Sequence, residues 1–276
     1  MCLIEVYAIC MEVCLMEFVV IFVMILFGAV VGSFLNVVIL RLPVEGASIV
    51  FPGSHCPVCK TSIKWYDNIP IISYCLIRGK CRKCNTSISL QYPLVEVCMA
   101  LLSAALYVRF GLSFDFVYYF IFVASLLVII FIDIHHQIIP DVISLPGVVV
   151  GAAGSFFCTY LTWQESLIGI FAGGGALYLI AFCYFALTRR DGMGGGDIKL
   201  LAMIGAFLGW PSLLYVVFFS SLTGSIVGIA TMINKKEDTR LKIPFGPFLS
   251  LGALSYLFFQ PQIIHWWNLY IEMMAR

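Results

Sequence analysis

The chain has 276 residues, 62% of them hydrophobic and 11% charged, with a mean hydropathy of +1.02. A soluble globular domain carries about 25% charged residues, so this composition excludes a water-soluble core and requires a bilayer as solvent. The formal net charge of +1 gives no attraction toward nucleic acid or another polyanion.

The first 40 residues contain no Lys or Arg. Glu5, Glu12 and Glu17 precede an apolar run that ends at Arg41. A secretory signal needs a basic start and a small-residue cleavage site, so this run is expected to be an uncleaved first span with its N-terminus outside. Apolar segments at 15–40, 94–110, 114–132, 142–162, 166–187, 198–209, 212–232 and 247–262 predict an all-α polytopic membrane protein with about eight transmembrane helices. The sixth segment is short and rich in glycine.

If the first N-terminus is outside, the other spans follow by alternation. Fourteen of the sixteen basic residues then fall on the cytoplasmic side, and only Arg109 and Arg276 fall outside. That split follows the positive-inside rule. The organisation expected is an N-terminal transmembrane helix (1–41), a cytoplasmic four-cysteine segment (42–93) and a transmembrane bundle (94–276). Small-residue pairs at helical spacing let helices approach closely in lipid. They are Gly28 and Gly32, Gly147 and Gly151, Gly169 and Gly173, Gly205 and Gly209, and Gly224 and Gly228.

The polar segment 42–93 is too small for a comfortable hydrophobic core and needs a staple. It holds Cys56-Pro-Val-Cys59 and, farther along, Cys81-Arg-Lys-Cys84. Two C-x2-C hairpins supply four thiolates for one tetrahedral ion, so Cys56, Cys59, Cys81 and Cys84 are candidate ligands of a structural zinc. A cytosolic setting keeps these thiols reduced and argues against disulfides. A redox dithiol and unligated thiols are the other readings. The remaining seven cysteines are scattered. Cys2, Cys10 and Cys14 lie near the outer face, where pairing is conceivable.

Two carboxylates stand at the ends of apolar runs. Asp133 closes the third, ahead of Ile-His-His-Gln-Ile-Ile-Pro-Asp141, and Asp197 opens the sixth, in Gly192-Met-Gly-Gly-Gly-Asp197-Ile-Lys-Leu200. An ionisable residue at membrane depth is a functional candidate. The topology puts both on the cytoplasmic side, where two carboxylates that meet can share one proton and hydrolyse a peptide bond without metal. The residues alone also allow plainer roles. Asp133 could cap a helix or pair with a lysine, and Asp197 could pair with Lys199. Asp141, after Pro140, reads as a helix N-cap. His135 and His136 read as solvated interfacial residues, with metal or proton-relay roles as the alternative.

These motifs, in this order, resemble those of the type IV prepilin peptidases, the bifunctional leader peptidase/N-methyltransferases of pilus and type II secretion systems. The resemblance covers nearly the whole chain. It rests on the run from Gly32 to Pro43, the paired C-x2-C hairpins, Tyr92-Pro-Leu-Val-Glu96, Asp133 with Ile139-Pro-Asp141, the Gly192 to Leu200 run, and Pro244-Phe-Gly-Pro-Phe248. It implies that Asp133 and Asp197 are catalytic. It implies cleavage of a basic leader after Gly at the cytoplasmic face of the bacterial inner membrane, on type IV prepilins or type II secretion pseudopilins. It further implies methylation of the new N-terminal residue, usually Phe, by S-adenosylmethionine, largely with the cysteine-bearing region.

No Rossmann-type glycine fingerprint marks a site for that methyl donor. Asn36, Arg41, Arg78 and Glu96 are polar groups at the membrane boundary that could bind donor or substrate, or equally hold the segment onto the bundle. A peptidase without methyl transfer, and a zinc-bearing membrane transporter or scaffold, are the alternative functions.

Overall fold

The computed structural model describes residues 2–189, 194–235 and 244–274. Among the described residues there are nine α-helices and one 3-10 turn. Arg190, Lys236, Arg240, Lys242 and Arg276, among the basic residues counted above, and Gly192 and Met193 lie outside the described residues, as do the side chains of Cys2, Cys10 and Cys14.

The chain divides into two compact units, 1–124 and 125–276. The first holds α1 (Cys2–Arg41), α2 (Ile72–Leu76), α3 (Gln91–Phe110) and the start of α4 (Phe114–His136). α1 packs along α3. A Cβ at Gly28 would lie 2.6 Å from Met99 O, and one at Gly32 would lie 2.8 Å from Glu96 Cα. The two glycines therefore let the backbones close, as small residues do in lipid. Gly111 ends α3 with φ of +63°, a conformation that suits a residue without Cβ.

The second unit holds the rest of α4 with α5 (Asp141–Gly154), α6 (Trp163–Thr188), α7 (Gly195–Leu208), α8 (Trp210–Lys235) and α9 (Gly246–Met274). α7 is its centre, packing against α5, α6, α8 and α9. Leu200, Leu201 and every residue from Met203 to Leu208 are buried. Gly169 of α6 and Gly205 of α7 each sit where the other's backbone carbonyl would meet a Cβ. Ser166 Oγ donates to Ala206 O at 2.7 Å across the same interface. Gly151 of α5 faces Ala206, whose Cβ would be 2.7 Å away from one added there. By contrast, Gly224 has only ordinary contact with Phe248, and Gly209 serves mainly to end α7, at φ of +75°.

Among the described residues, five helices are long and apolar enough to cross a membrane: Leu15–Arg41, Gln91–Phe110, Phe114–His136, Trp163–Thr188 and Trp210–Ile233. Three of the eight expected spans are not among these five. The expected 142–162 stops at Gly154, where Ser155 Oγ turns back to donate to Ala152 O at 2.7 Å. The Thr162–Glu165 capping box then starts α6. The expected 198–209 is α7, 14 residues long. The expected 247–262 lies within α9, which is not one of the five.

Candidate active site and cysteine centre

The glycines around Asp197 allow the chain to enter α7 without a bulky side chain. Gly194 is the N-cap, and Asp197 N donates to Gly194 O at 3.2 Å, so Asp197 falls in the first turn. An acidic side chain there is favoured by the helix dipole. Asp133 sits one turn from the end of α4 and is 5% exposed. Its Oδ2 accepts the backbone N–H of Gly246 at 3.0 Å. Gly246 is the first residue of α9, where backbone N–H groups have no intrahelical partner. Asp133 therefore caps α9 from a different helix.

Ile139 fills the space between these parts. A Cβ on Gly196 would be 2.9 Å from Ile139 Cβ, and one on Gly246 would be 3.2 Å from Ile139 Cδ1 and 2.5 Å from Asp133 Oδ2. The residue before Asp197 and the residue that holds Asp133 thus touch the same side chain.

Lys199 does not pair with Asp197. Its Nζ donates to both carboxylate oxygens of Asp141, at 2.7 and 2.8 Å. This corrects the reading of Asp141 as a helix N-cap. Pro140 occupies that position, Asp141 is the first helical residue, and no side-chain cap bond is present. The Asp141–Lys199 pair ties the start of α5 to the first turns of α7. His135 and His136 are exposed at the end of α4, outside any cluster of metal-ligating groups among the described residues.

In the first unit the four cysteines come together as expected. Their Sγ atoms all lie within 4.8 Å of one another, with Cys56–Cys84 at 3.7 Å and Cys59–Cys81 at 3.9 Å. A tetrahedron with zinc–sulfur bonds of about 2.3 Å has edges of about 3.8 Å, so the donor set fits that ion. The two hairpins are near copies. In each, the first Cys N–H donates to a Thr carbonyl at 2.9 Å (Cys56 to Thr61, Cys81 to Thr86) and its carbonyl accepts from Lys60 or Asn85, also at 2.9 Å. Lys60 and Asn85 share φ of +55°.

Thr61 Oγ1 lies 3.4 Å from Cys59 Sγ, and Thr86 Oγ1 lies 3.3 Å from Cys84 Sγ. Hydrogen bonds from the Thr86 hydroxyl and backbone hold the Cys84 thiol down to about 6, and Thr61 lowers Cys59 in the same way. The two threonines were missed in the sequence reading, although Cys-x-x-Cys-x-Thr-Ser-Ile recurs at 56–63 and 81–88.

Asn36, Arg41 and Glu96, weighed as binders of a methyl donor, are engaged in holding the polar segment and its helices. Asn36 Nδ2 donates to Tyr92 O at 3.0 Å, Arg41 Nη1 donates to Ser48 O at 3.0 Å, and Glu96 Oε2 accepts Ile71 N–H at 2.7 Å. Arg78 is exposed. Asn36 Oδ1 is buried without a partner, but one orphan acceptor is not a pocket for a nucleoside sulfonium.

Residues 26–110 match the bacterial peptidase A24 N-terminal domain, and residues 120–229 match the type IV leader peptidase family. The prepilin leader peptidase/N-methyltransferase of Stutzerimonas stutzeri is 36% identical, over 86% of this chain and 89% of that protein. The protein of the same name from Pseudomonas aeruginosa is 35% identical, over 87% and 90%. The one from Aeromonas hydrophila is 34% identical, over 88% and 91%. No solved structure gives a significant match.

Proposed function

The chain belongs to the type IV leader peptidase family, and from that membership we infer that it is a membrane-bound prepilin leader peptidase and N-methyltransferase. It is a multi-pass protein of the bacterial inner membrane, and prepilins are its substrates. The observation that supports the peptidase reading is the convergence on Ile139 of Gly196, the neighbour of Asp197, and Gly246, whose N–H binds Asp133.

Two carboxylates at short range hold one proton between them. The Gly246 N–H and the start of α9 suit an ionised Asp133, so Asp133 is assigned as the base and Asp197 as the acid. Asp133 takes a proton from water as the water oxygen attacks the scissile carbonyl, and Asp197 gives its proton to the carbonyl oxygen. Collapse of the tetrahedral adduct breaks the C–N bond: Asp133 hands the proton it took from water to the leaving amine, and a hydroxyl of the adduct returns a proton to Asp197, restoring the starting dyad. The site faces the cytoplasm, on the side that collects most of the Lys and Arg residues. A basic leader then stays in water while the apolar helix behind it lies in lipid, which brings the Gly–Phe junction to the depth of the dyad. Pseudopilins of type II secretion present the same junction.

The four cysteines hold a structural zinc that staples segment 42–93, the methyltransferase-associated part. The methyl group comes from S-adenosylmethionine.

The test is a purified enzyme in lipid with a prepilin-type peptide containing a Gly–Phe junction. Cleavage at that bond, followed by a gain of one methyl in mass on the new N-terminus, is expected. Cleavage without the mass gain would sink the bifunctional reading. No cleavage by a folded, reconstituted enzyme would sink both.

A further inference from the structure

Segment 42–93 contains an aromatic turn that the proposed chemistry does not use. The 3-10 turn Trp65–Asn68 lies between the two cysteine hairpins. Its polar side is pinned to the second hairpin: Arg82 Nε donates to Asp67 Oδ1 at 2.7 Å, and Arg82 and Lys64 lie 5.9 and 5.5 Å from the Tyr66 ring centre. Trp65 packs edge-on against Tyr66, at 5.7 Å and 80°, yet is 80% exposed. Ile72 and Leu76 follow within the stretch 65–76, 56% and 73% exposed. A rigid turn that presents bare aromatic and aliphatic side chains needs a partner.

The depth of this stretch is set by a second observation. Ile71 is the centre of a γ-turn, with φ of +62° and ψ of −54°, closed by Ile72 N donating to Pro70 O at 2.6 Å. That conformation is strained for a β-branched residue. The buried Glu96 carboxylate holds it by accepting Ile71 N–H. Glu96 lies in the second turn of α3, one of the five long apolar helices. A helix of 20 residues is about 30 Å long, the thickness of the hydrocarbon core, so Gln91 stands near one edge of that core. Glu96 lies about 7 Å farther along the helix. Ile71 is therefore no farther from the bilayer centre than the lipid boundary, and residues 65–76 lie around it.

Charge names the partner. Segment 42–93 carries Lys60, Lys64, Arg78, Lys80, Arg82 and Lys83 against Glu45 and Asp67. Apolar tips among basic side chains at the boundary fit a surface of anionic phospholipid, with Trp at headgroup level. We propose that the Trp65–Leu76 stretch is an interfacial anchor that docks the four-cysteine segment onto anionic lipid headgroups.

The test uses the full chain in vesicles. The fluorescence of wild type minus that of Trp65→Phe isolates Trp65 from the other four tryptophans. In phosphatidylglycerol vesicles this difference signal is expected to be quenched by lipids brominated high on the acyl chain and shielded from aqueous iodide. Replacing Lys60 or Lys83 by Gln is expected to shift the bound population toward iodide access by about fivefold per lysine, and zwitterionic lipid is expected to do the same. Iodide quenching that is equal in both lipids, without bromolipid quenching, would overturn the proposal. So would shielding that appears only after a prepilin-type peptide is added, because the surface would then belong to the peptide.

Discussion

Gly246 and Asp133 are 113 residues apart in sequence, and the backbone N–H of one lies 3.0 Å from a carboxylate oxygen of the other. A methyl group at 246 would have to share that space, with its carbon 2.5 Å from the same oxygen. Gly246→Ala is therefore expected to push the Asp133 carboxylate aside. Misplacement by about 1 Å costs about 100-fold in rate. The loss should appear in kcat more than in KM, since the substitution acts on the Asp133 carboxylate. Gly175→Ala, with open space around it, is the matched control and should cleave at the wild-type rate.

Asp133→Asn and Asp197→Asn should each lower cleavage by at least about 1000-fold and leave membrane insertion intact. An Asn at 133 can still accept the Gly246 N–H through its amide oxygen, so this variant should keep its fold. Steady-state cleavage with purified protein, alongside a thermal melt in detergent, separates lost chemistry from lost structure. A folded Asp197→Asn enzyme with residual activity above that limit would remove Asp197 from the dyad.

The Asp141–Lys199 pair is half-exposed at both ends, with side-chain exposures of 55% and 37%. Its contribution to stability should be small, about 0.2–1 kcal/mol by a double-mutant cycle. Its effect on activity should be larger, because it fixes α5 against the turn that carries Asp197. Asp141→Asn and Lys199→Gln should each reduce kcat, and the double variant should be little worse than either single one. Additive losses would show that the two side chains act separately.

Thr61 and Thr86 support the thiolates that each hairpin presents. Thr61→Val and Thr86→Val keep the shape and remove the hydroxyl. Each should weaken metal retention by about 10-fold, measured as metal content after dialysis against a competing chelator. Peptidase rates should stay near wild type, since the proposed hydrolysis uses neither hairpin.

Gly205→Ala tests the packing of the second unit. The added methyl meets the Gly169 carbonyl, so α6 and α7 must separate. A loss of about 1–3 kcal/mol is expected in an unfolding titration in mixed micelles. Cleavage should fall too, because Asp197 rides on α7.

The long apolar runs at 15–40, 114–132, 166–187 and 212–232 were legible because nothing within them competes with a helix that spans lipid. The end of α5 was not. The stretch after Gly154 keeps Phe156, Phe157 and Leu161 and so continues the apolar run in sequence, while the helix ends at Gly154 and the Thr162–Glu165 cap starts the next one. The cysteine set was legible from spacing, since ligand types and hairpin turns are local. The hold on Asp133 was not, because its donor is a backbone N–H on a distant helix, and a glycine reveals only that something comes close. Asp141 was misread for a related reason. A residue after Pro looks like a cap from its neighbours alone, while its real partner, Lys199, is 58 residues away.

α7 has 14 residues, which makes it about 21 Å long, against about 30 Å of hydrocarbon. The helix that carries Asp197 cannot reach from one aqueous phase to the other. α7 is enclosed by α5, α6, α8 and α9, so solvent must follow the chain inward from an end. A hydrolase that works where a lipid-embedded helix begins needs water at that depth, and a helix too short for its membrane brings it there. The rate should therefore depend on the acyl-chain length of the host lipid, falling as the bilayer thickens around an unchanged protein.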